Sequence, residues 1–114
     1  MVWSPQVWEV RWLVEAEHER DRLATGERVA LDRAVRKLAT LGPQLPFPHQ
    51  SSVRQGHRLR ELRPRAGRSQ WRALYRRIGD VFVIGSVCSE AHVDSPAFAR
   101  GVASAIKRLE EVTG

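Results

Sequence analysis

The chain has a single cysteine and only two lysines, and each scarcity excludes something. With Cys88 alone, neither a disulfide framework nor a cysteine-built zinc site can form within one chain. The four histidines, His18, His49, His57 and His92, lack metal-ligand spacing, and no glycine-rich phosphate loop is present. Neither a metal nor a cofactor is therefore expected. No apolar run approaches the length that crosses a bilayer, so no membrane contact is expected. The opening Met-Val-Trp-Ser-Pro-Gln shows no basic stretch followed by an apolar one, so no signal peptide is expected and the cytoplasm is the simplest compartment. Glycine (8) and proline (6) are too few, and apolar residues at 42% too many, for a disordered chain. The 114 residues suit one domain, residues 1–114, able to bury a core without staples.

What is abundant is arginine. Lys37 and Lys107 are the only lysines among 19 basic residues, against 13 acids, for a net charge of +6. A GC-rich genome alone can give such a composition, so distribution has to decide its meaning. Between Arg54 and Arg77 lie nine arginines and one acid, Glu61: that segment carries +8 and the remainder −2. Clustering of this kind marks an electrostatic footprint for a polyanion better than a uniform excess does. Arginine's flat donor fork suits phosphate and base edges.

Patterning predicts an α+β domain. Val7–Trp12 alternates as a short strand with Trp8, Val10 and Trp12 on one face, although a helix competes because no turn signal follows. Residues 14–41 read as a helical hairpin broken at Thr25-Gly26, with Thr25 as cap of the second helix. Leu31, Ala34, Val35, Leu38 and Leu41 form that helix's apolar stripe; Arg28, Asp32, Arg33, Arg36 and Lys37 fill its polar side. Gly42-Pro43 stops it. Residues 43–56 read as a proline-rich loop pinned by Leu45 and Phe47. A three-strand antiparallel meander then completes a small twisted sheet. Its strands are His57–Arg63, Trp71–Arg77 and Val81–Val87, with a Gly79-Asp80 hairpin turn. In the first of these, Leu59 and Leu62 point to opposite faces unless a bulge intervenes. Asp94 or Ser95 caps a C-terminal helix with Pro96 in its first turn and Phe98, Val102, Ala105, Ile106, Leu109 and Val112 as its stripe.

Alternation places Glu61 and Arg63 on one strand face, and Arg72, Leu74 and Arg76 on one face of the next. These faces are expected to coincide as a concave basic surface opposite the helices. A cross-strand ion pair between Glu61 and Arg72 that only stabilises the sheet is the competing reading. Cys88 reads as a buried thiol, Tyr75 as a residue packed under the sheet, and Trp3 and Trp8 as core or edge anchors.

Element order and motifs together resemble the RelE/ParE superfamily of toxins, and within it the phage-derived HigB-like branch. The features are Leu59-Arg60-Glu61-Leu62-Arg63, a short turn, Trp71-Arg72-Ala73-Leu74-Tyr75, and the Leu-Gly-Pro-x-Leu stretch from Leu41 to Leu45. The resemblance implies a RelE-like fold and the toxin of a type II toxin–antitoxin system. It implies a ribosome-dependent mRNA endoribonuclease, in which a ribose 2′-hydroxyl attacks the adjacent phosphate. Such a reaction needs cations where negative charge develops, together with a base and an acid. By this resemblance Arg72 and Arg63 are the catalytic candidates, with Glu61 beside them. Arg58, Arg60, Arg65, Arg68, Arg76 and Arg77 are candidates for RNA binding. The implied partners are mRNA, the ribosome and a cognate antitoxin, a helix-turn-helix protein. The chain departs from the branch after its last strand: where a lysine pair is usual, Glu90 and His92 stand. His92 can serve as base or acid with Glu90 orienting it, or the exchange marks loss of ribonuclease activity. The alternative function is therefore a non-catalytic binding protein of the same fold, either a gyrase-inhibiting ParE-like toxin or an inactive relative.

Overall fold

The structure is a computed structural model that describes residues 7–113. Trp3, read above as an anchor, lies outside them. Element order is β1 (Glu9–Trp12), α1 (Val14–Asp21), α2 (Thr25–Leu41), β2 (Gln50–Ser52), β3 (Arg60–Leu62), β4 (Trp71–Ile78), β5 (Val81–Ser89) and α3 (Ser95–Thr113). The strands form one sheet in the order β1-β5-β4-β3-β2, with β1 parallel to β5 and every other pair antiparallel. The expected α+β architecture is thus present: N-terminal strand, two helices, meander and C-terminal helix.

Both faces of the sheet are covered. On one face Ala16 of α1 and Leu31, Ala34 and Leu38 of α2 pack with Leu62, Ala73, Tyr75, Phe82 and Ile84. On the other, Phe98, Val102, Ala105 and Leu109 of α3 pack with Leu59, Leu74, Val83 and Cys88. This arrangement answers the Leu59/Leu62 question. The two leucines do point to opposite faces, and no bulge is needed there because each face has its own core. A register shift falls instead in the β4–β5 ladder, where adjacent Leu74 and Tyr75 pair with Ser86 and Ile84 and leave Gly85 of β5 as the extra residue. At the other end of that ladder Gly79 takes φ 62°, the left-handed conformation the tight turn needs.

The parallel pairing of β1 covers only Val81–Ile84 of β5. Beyond it the β5 edge is closed by side chains. Glu19 of α1 accepts the Val87 N–H at 3.0 Å, and Arg108 of α3 donates to the Gly85 carbonyl at 3.0 Å. The two side chains also pair with each other at 3.1 Å, so one ion pair ties both helices to an edge that would otherwise stay open.

Several sequence-based expectations are corrected. Residues 43–56 are not wholly a loop: Gln50–Ser52 is a strand held by β3. Its all-polar sequence carries no alternation to betray it. The 43–56 segment is pinned at Leu45 and Val53, one in each core, whereas Phe47 is 69% exposed. Thr25 is not the cap of α2; Ala24 holds that position without a side-chain bond, and Thr25 begins the helix. Leu41 and Val112 are exposed, each in a last turn with core on one side at most. Asp94 does cap α3, its Oδ1 accepting the Ala97 N–H at 3.0 Å. The sheet face opposite α1 and α2 is not an open basic surface, because α3 lies on it.

The α3–β5 contact depends on a small residue. A Cβ at Gly101 would stand 2.5 Å from Cys88 Sγ, far inside contact distance. Gly101→Ala is expected to destabilise the fold by about 1–3 kcal/mol despite alanine's better helix propensity. Urea unfolding should show a lower midpoint at unchanged m-value.

Candidate nucleic-acid interface

The β3–β4 register sets Glu61 opposite Leu74 and Leu62 opposite Ala73. One step further brings Arg63 beside Arg72 at the end of β3, where Arg63 also lines the cleft beside α2. Glu61, Arg63 and Arg72 do therefore meet, as alternation suggests, and Glu90 joins them from the end of β5. Arg72 is 1% exposed. Its Nη2 donates to Glu90 Oε2 at 2.6 Å, and its Nη1 to the carbonyls of Ser69 at 2.6 Å and Trp71 at 2.9 Å. Glu61 Oε1 lies 3.7 Å from Arg72 Nε and accepts from Arg63 Nη1 at 3.0 Å and Ser51 Oγ at 3.0 Å. The guanidinium of Arg63 also stacks over Phe47 at 5.3 Å. Burial, and then the like charge of Arg63, pull Arg72 below the ordinary arginine value, while Glu61 and Glu90 oppose this. Two arginines and two carboxylates leave the cluster without net charge. The Nε atoms of Arg63 and Arg72 are buried without a hydrogen-bond partner.

His92 is not part of this cluster. It is exposed in the turn between β5 and α3, and among the described residues no hydrogen bond joins it to Glu90. Glu90 spends its carboxylate on Arg72 rather than on orienting the imidazole.

The remaining arginines divide among several surfaces. Arg60 and Arg77 point to the α1/α2 face of the sheet and, with Arg58, rim a cleft of about 740 Å³. Arg60 donates to Gln50 Oε1 at 2.9 Å; Arg77 stacks over Trp8 at 5.0 Å. Tyr75 and Phe82 line the same cleft. Tyr75 is only 2% exposed, so it offers no open stacking face, and burial pushes its hydroxyl up to about 12. Arg76 is buried on the opposite face and donates to the His57 carbonyl at 2.8 Å. Arg65 and Arg68 occupy the turn between β3 and β4. There Arg65 pairs with Glu27 of α2, and Arg68 Nε donates to the Arg65 carbonyl at 3.2 Å. Cys88 is buried, and burial followed by Glu19 and Glu61 raises its thiol to about 12, which leaves it inert.

A second basic cleft, of about 460 Å³, was not foreseen. Arg33 and Lys37 of α2, His49, Arg63 and Arg65 surround a floor of Ala30, Ala34, Leu45 and Leu62. Its signal in the sequence is the four-residue spacing of Arg33 and Lys37, which reads equally as the solvated side of an amphipathic helix. Among the described residues no group of three His, Cys, Asp or Glu could hold a metal ion, and no helix is long and apolar enough to cross a membrane.

Two stability predictions follow from these contacts. Arg72→Ala leaves Glu90 without its counter-charge, while Glu61 keeps Arg63, and removes a buried side chain; it is expected to cost roughly 3–5 kcal/mol, read by denaturant unfolding. Glu27 is held below the ordinary carboxylate range, first by the Ser69 hydroxyl and then by Arg65. A lowered folded-state pKa gives stability that is present above the unfolded value and lost as pH falls through the folded one. Glu27→Gln should therefore flatten the acid limb of a stability-against-pH curve below about pH 5 while lowering the neutral plateau.

With this geometry in place, similarity to known proteins can be stated. The family model described as "Phage derived protein Gp49-like" matches residues 18–84. None of the curated proteins matches the chain. A mutant of the E. coli toxin RelE in its free state superposes with a TM-score of 0.61 at 16% identity, covering 85% of this chain and 96% of that one. One chain from the structure of the RelBE2 toxin–antitoxin complex of Mycobacterium tuberculosis gives a TM-score of 0.55 at 20% identity, covering 74% of this chain and 99% of that one. Identities this low establish shared architecture, while the family match spans more than half of the sequence. The chain belongs to the phage-derived Gp49-like family and has the fold of the RelE toxins.

Proposed function

We propose that the protein is the toxin of a type II toxin–antitoxin pair, of the HigB-like branch, acting in the cytoplasm on mRNA at the ribosome. The observation that carries this reading is the cleft rimmed by Arg58, Arg60 and Arg77 on a RelE fold. Three guanidinium groups around one opening suit a phosphate backbone. In this reading Arg63, Arg72, Glu61, Glu90 and His92 are the catalytic candidates, and because they lie across the sheet from that cleft, a strand bound there reaches them only around the edge of the sheet. The partner is a cognate helix-turn-helix antitoxin; one of the structural neighbours is itself a toxin–antitoxin complex.

One observation favours a second reading, a non-catalytic binding protein of the same fold. Arg72 is fully buried and committed to Glu90 and two carbonyls, so it meets no phosphate as it stands. Induced expression with mapping of mRNA ends separates the two. The nuclease reading expects growth arrest with cleavage inside translated messages, lost in Arg72→Lys, which keeps the charge but not the fork. Arrest with intact messages would overturn it in favour of the binding protein, and absence of arrest would overturn the toxin assignment. In a filter-binding assay with a single-stranded RNA, replacing Arg58, Arg60 and Arg77 by alanine should reduce the log–log salt slope by about 2.

A further inference from the structure

β2 is an edge of the sheet, and its side chains serve both faces. Gln50 accepts from Arg60 at 2.9 Å on the side of the Arg58–Arg60–Arg77 cleft, and Ser51 donates to Glu61 at 3.0 Å on the side of the Arg63–Arg72 cluster. A strand of RNA that passes from one to the other therefore goes around β2. At the head of β2 stands the turn Pro46-Phe47-Pro48-His49, closed by the His49 N–H on the Pro46 carbonyl at 2.9 Å. Both flanks of the turn are tied down. Leu45 before it is buried, and its carbonyl accepts from Gln50 Nε2 at 3.0 Å; the His49 carbonyl accepts the Arg63 N–H at 2.9 Å. Phe47 at the tip is nevertheless largely exposed. One exposed apolar side chain is ordinary on a protein surface. This one differs in being fixed and in carrying a cation. The Arg63 guanidinium lies over the ring at 5.3 Å, its Nη1 donates to Glu61, and Glu61 lies 3.7 Å from Arg72 Nε. Among the described residues no second ring or cation lies over Phe47.

We infer that Phe47 is a base-stacking residue, which receives an unpaired base of single-stranded RNA where the strand rounds the edge of the sheet. The inference deepens the RNA-binding part of the function proposed above and rests on it. A base on the open side of the ring completes a stack of base, phenyl and guanidinium. Every base has a π face, so such a contact adds affinity without demanding a sequence. Tyr75 offers no face of this kind because it is buried; Phe47 does. The cation behind the ring is itself held by Glu61, which keeps ring and guanidinium together before RNA arrives. Less ordering is then left for the binding step. Duplex RNA fits less well, because its bases are already stacked on one another and aromatic side chains take splayed, unpaired ones. A protein partner also fits less well. A lone ring between two prolines and beside His49 and Arg63 is far smaller than the apolar patches that mark protein contacts. The strand thus meets charge at Arg58, Arg60 and Arg77, a stacking face at Phe47, and then the Arg63–Arg72 cluster.

The test uses the full chain and a fluorescently labelled single-stranded RNA of about ten nucleotides, read by anisotropy; a site of this length is ordinary for single-strand binding. Phe47→Leu keeps the apolar bulk and removes the π face, and it should weaken binding about tenfold, as should Phe47→Ala. Phe47→Trp should keep or tighten binding. The log–log salt slope should be the same for Phe47→Leu as for the wild type, since no phosphate contact is lost. Urea midpoints should not move, because the ring is mostly in water. A matching strand of abasic ribose phosphates separates stacking from support of Arg63. On that strand wild type and Phe47→Leu should agree within about twofold, because no base is present to stack. An equal loss on both strands would mean that Phe47 only props Arg63, and would overturn the inference. Unchanged affinity of Phe47→Leu for the normal strand, with wild-type binding intact, overturns it alone and leaves the RNA-binding reading standing. Failure of the wild type to bind RNA at all overturns that reading and this inference with it. A wild-type dimer in ultracentrifugation that Phe47→Leu abolishes would assign the ring to a protein contact and overturn the inference as well.

Discussion

The antiparallel β4–β5 ladder, buried on both faces, is the constraint on which the rest of this structure depends. Every residue from Arg72 to Arg76 of β4 and from Phe82 to Ser89 of β5 is buried. A ladder of this kind needs a cover on each side, and the chain supplies α1 and α2 for one and α3 for the other. It also forces a solution on two arginines that lie within it. A guanidinium removed from water must be matched by hydrogen bonds and opposite charge, or the fold loses several kcal/mol. Arg76 is matched by the His57 carbonyl, and Arg72 by Glu90, Glu61 and the carbonyls before it. The run of arginines from Arg54 to Arg77 is thus two things at once, a set of buried structural cations and a set of exposed ones.

The elements that were legible in the sequence are those whose burial is one-sided. The helix α2 shows its stripe because only one face is covered, and the Gly79-Asp80 turn and Asp94 cap announce themselves by local chemistry. β5 was legible as a strand apolar on both faces, but nothing in such a run says which element covers each face. That is why α3 was not placed over the surface shared by Arg63 and Arg72. The strand β2 was missed because Gln50, Ser51 and Ser52 are ordered by pairing with β3 rather than by burial. Leu59 and Leu62 looked inconsistent under a one-core assumption and are consistent with two.

The candidate site was legible in part for the same reason. Period-two alternation brings Glu61, Arg63 and Arg72 together correctly, because it depends only on strand geometry. It equally sends Arg60 and Arg77 to the opposite face, so proximity in sequence overstated the size of any single basic patch. The role of Glu90 was hidden by distance: 18 residues and a hairpin separate it from Arg72. Arg33 and Lys37 were hidden by context. On an amphipathic helix a pair of cations is the ordinary solvated side, and only the alanine-floored cleft beside them makes it distinctive.

Binding and cleavage make different demands on this architecture. The guanidinium groups of Arg58, Arg60 and Arg77 rim an opening, where Arg60 also donates to Gln50 and Arg77 to the Gly79 carbonyl, so a phosphate backbone there would meet groups already at the surface. Arg72 cannot meet one directly, because the Glu90 carboxylate already stands 2.6 Å from its Nη2, at the place an incoming phosphate oxygen would take. Contact between Arg72 and RNA therefore requires the exchange of one anion for another. Charge is conserved in that exchange, and the buried Nε of Arg72 is a donor not yet used. What the exchange requires is movement of Glu90, which stands at the head of an exposed turn running from Ala91 to Asp94 between β5 and the start of α3. The two halves of the basic surface are accordingly coupled to different parts of the fold. One is fixed by the sheet, and the other depends on where the chain goes after β5 ends.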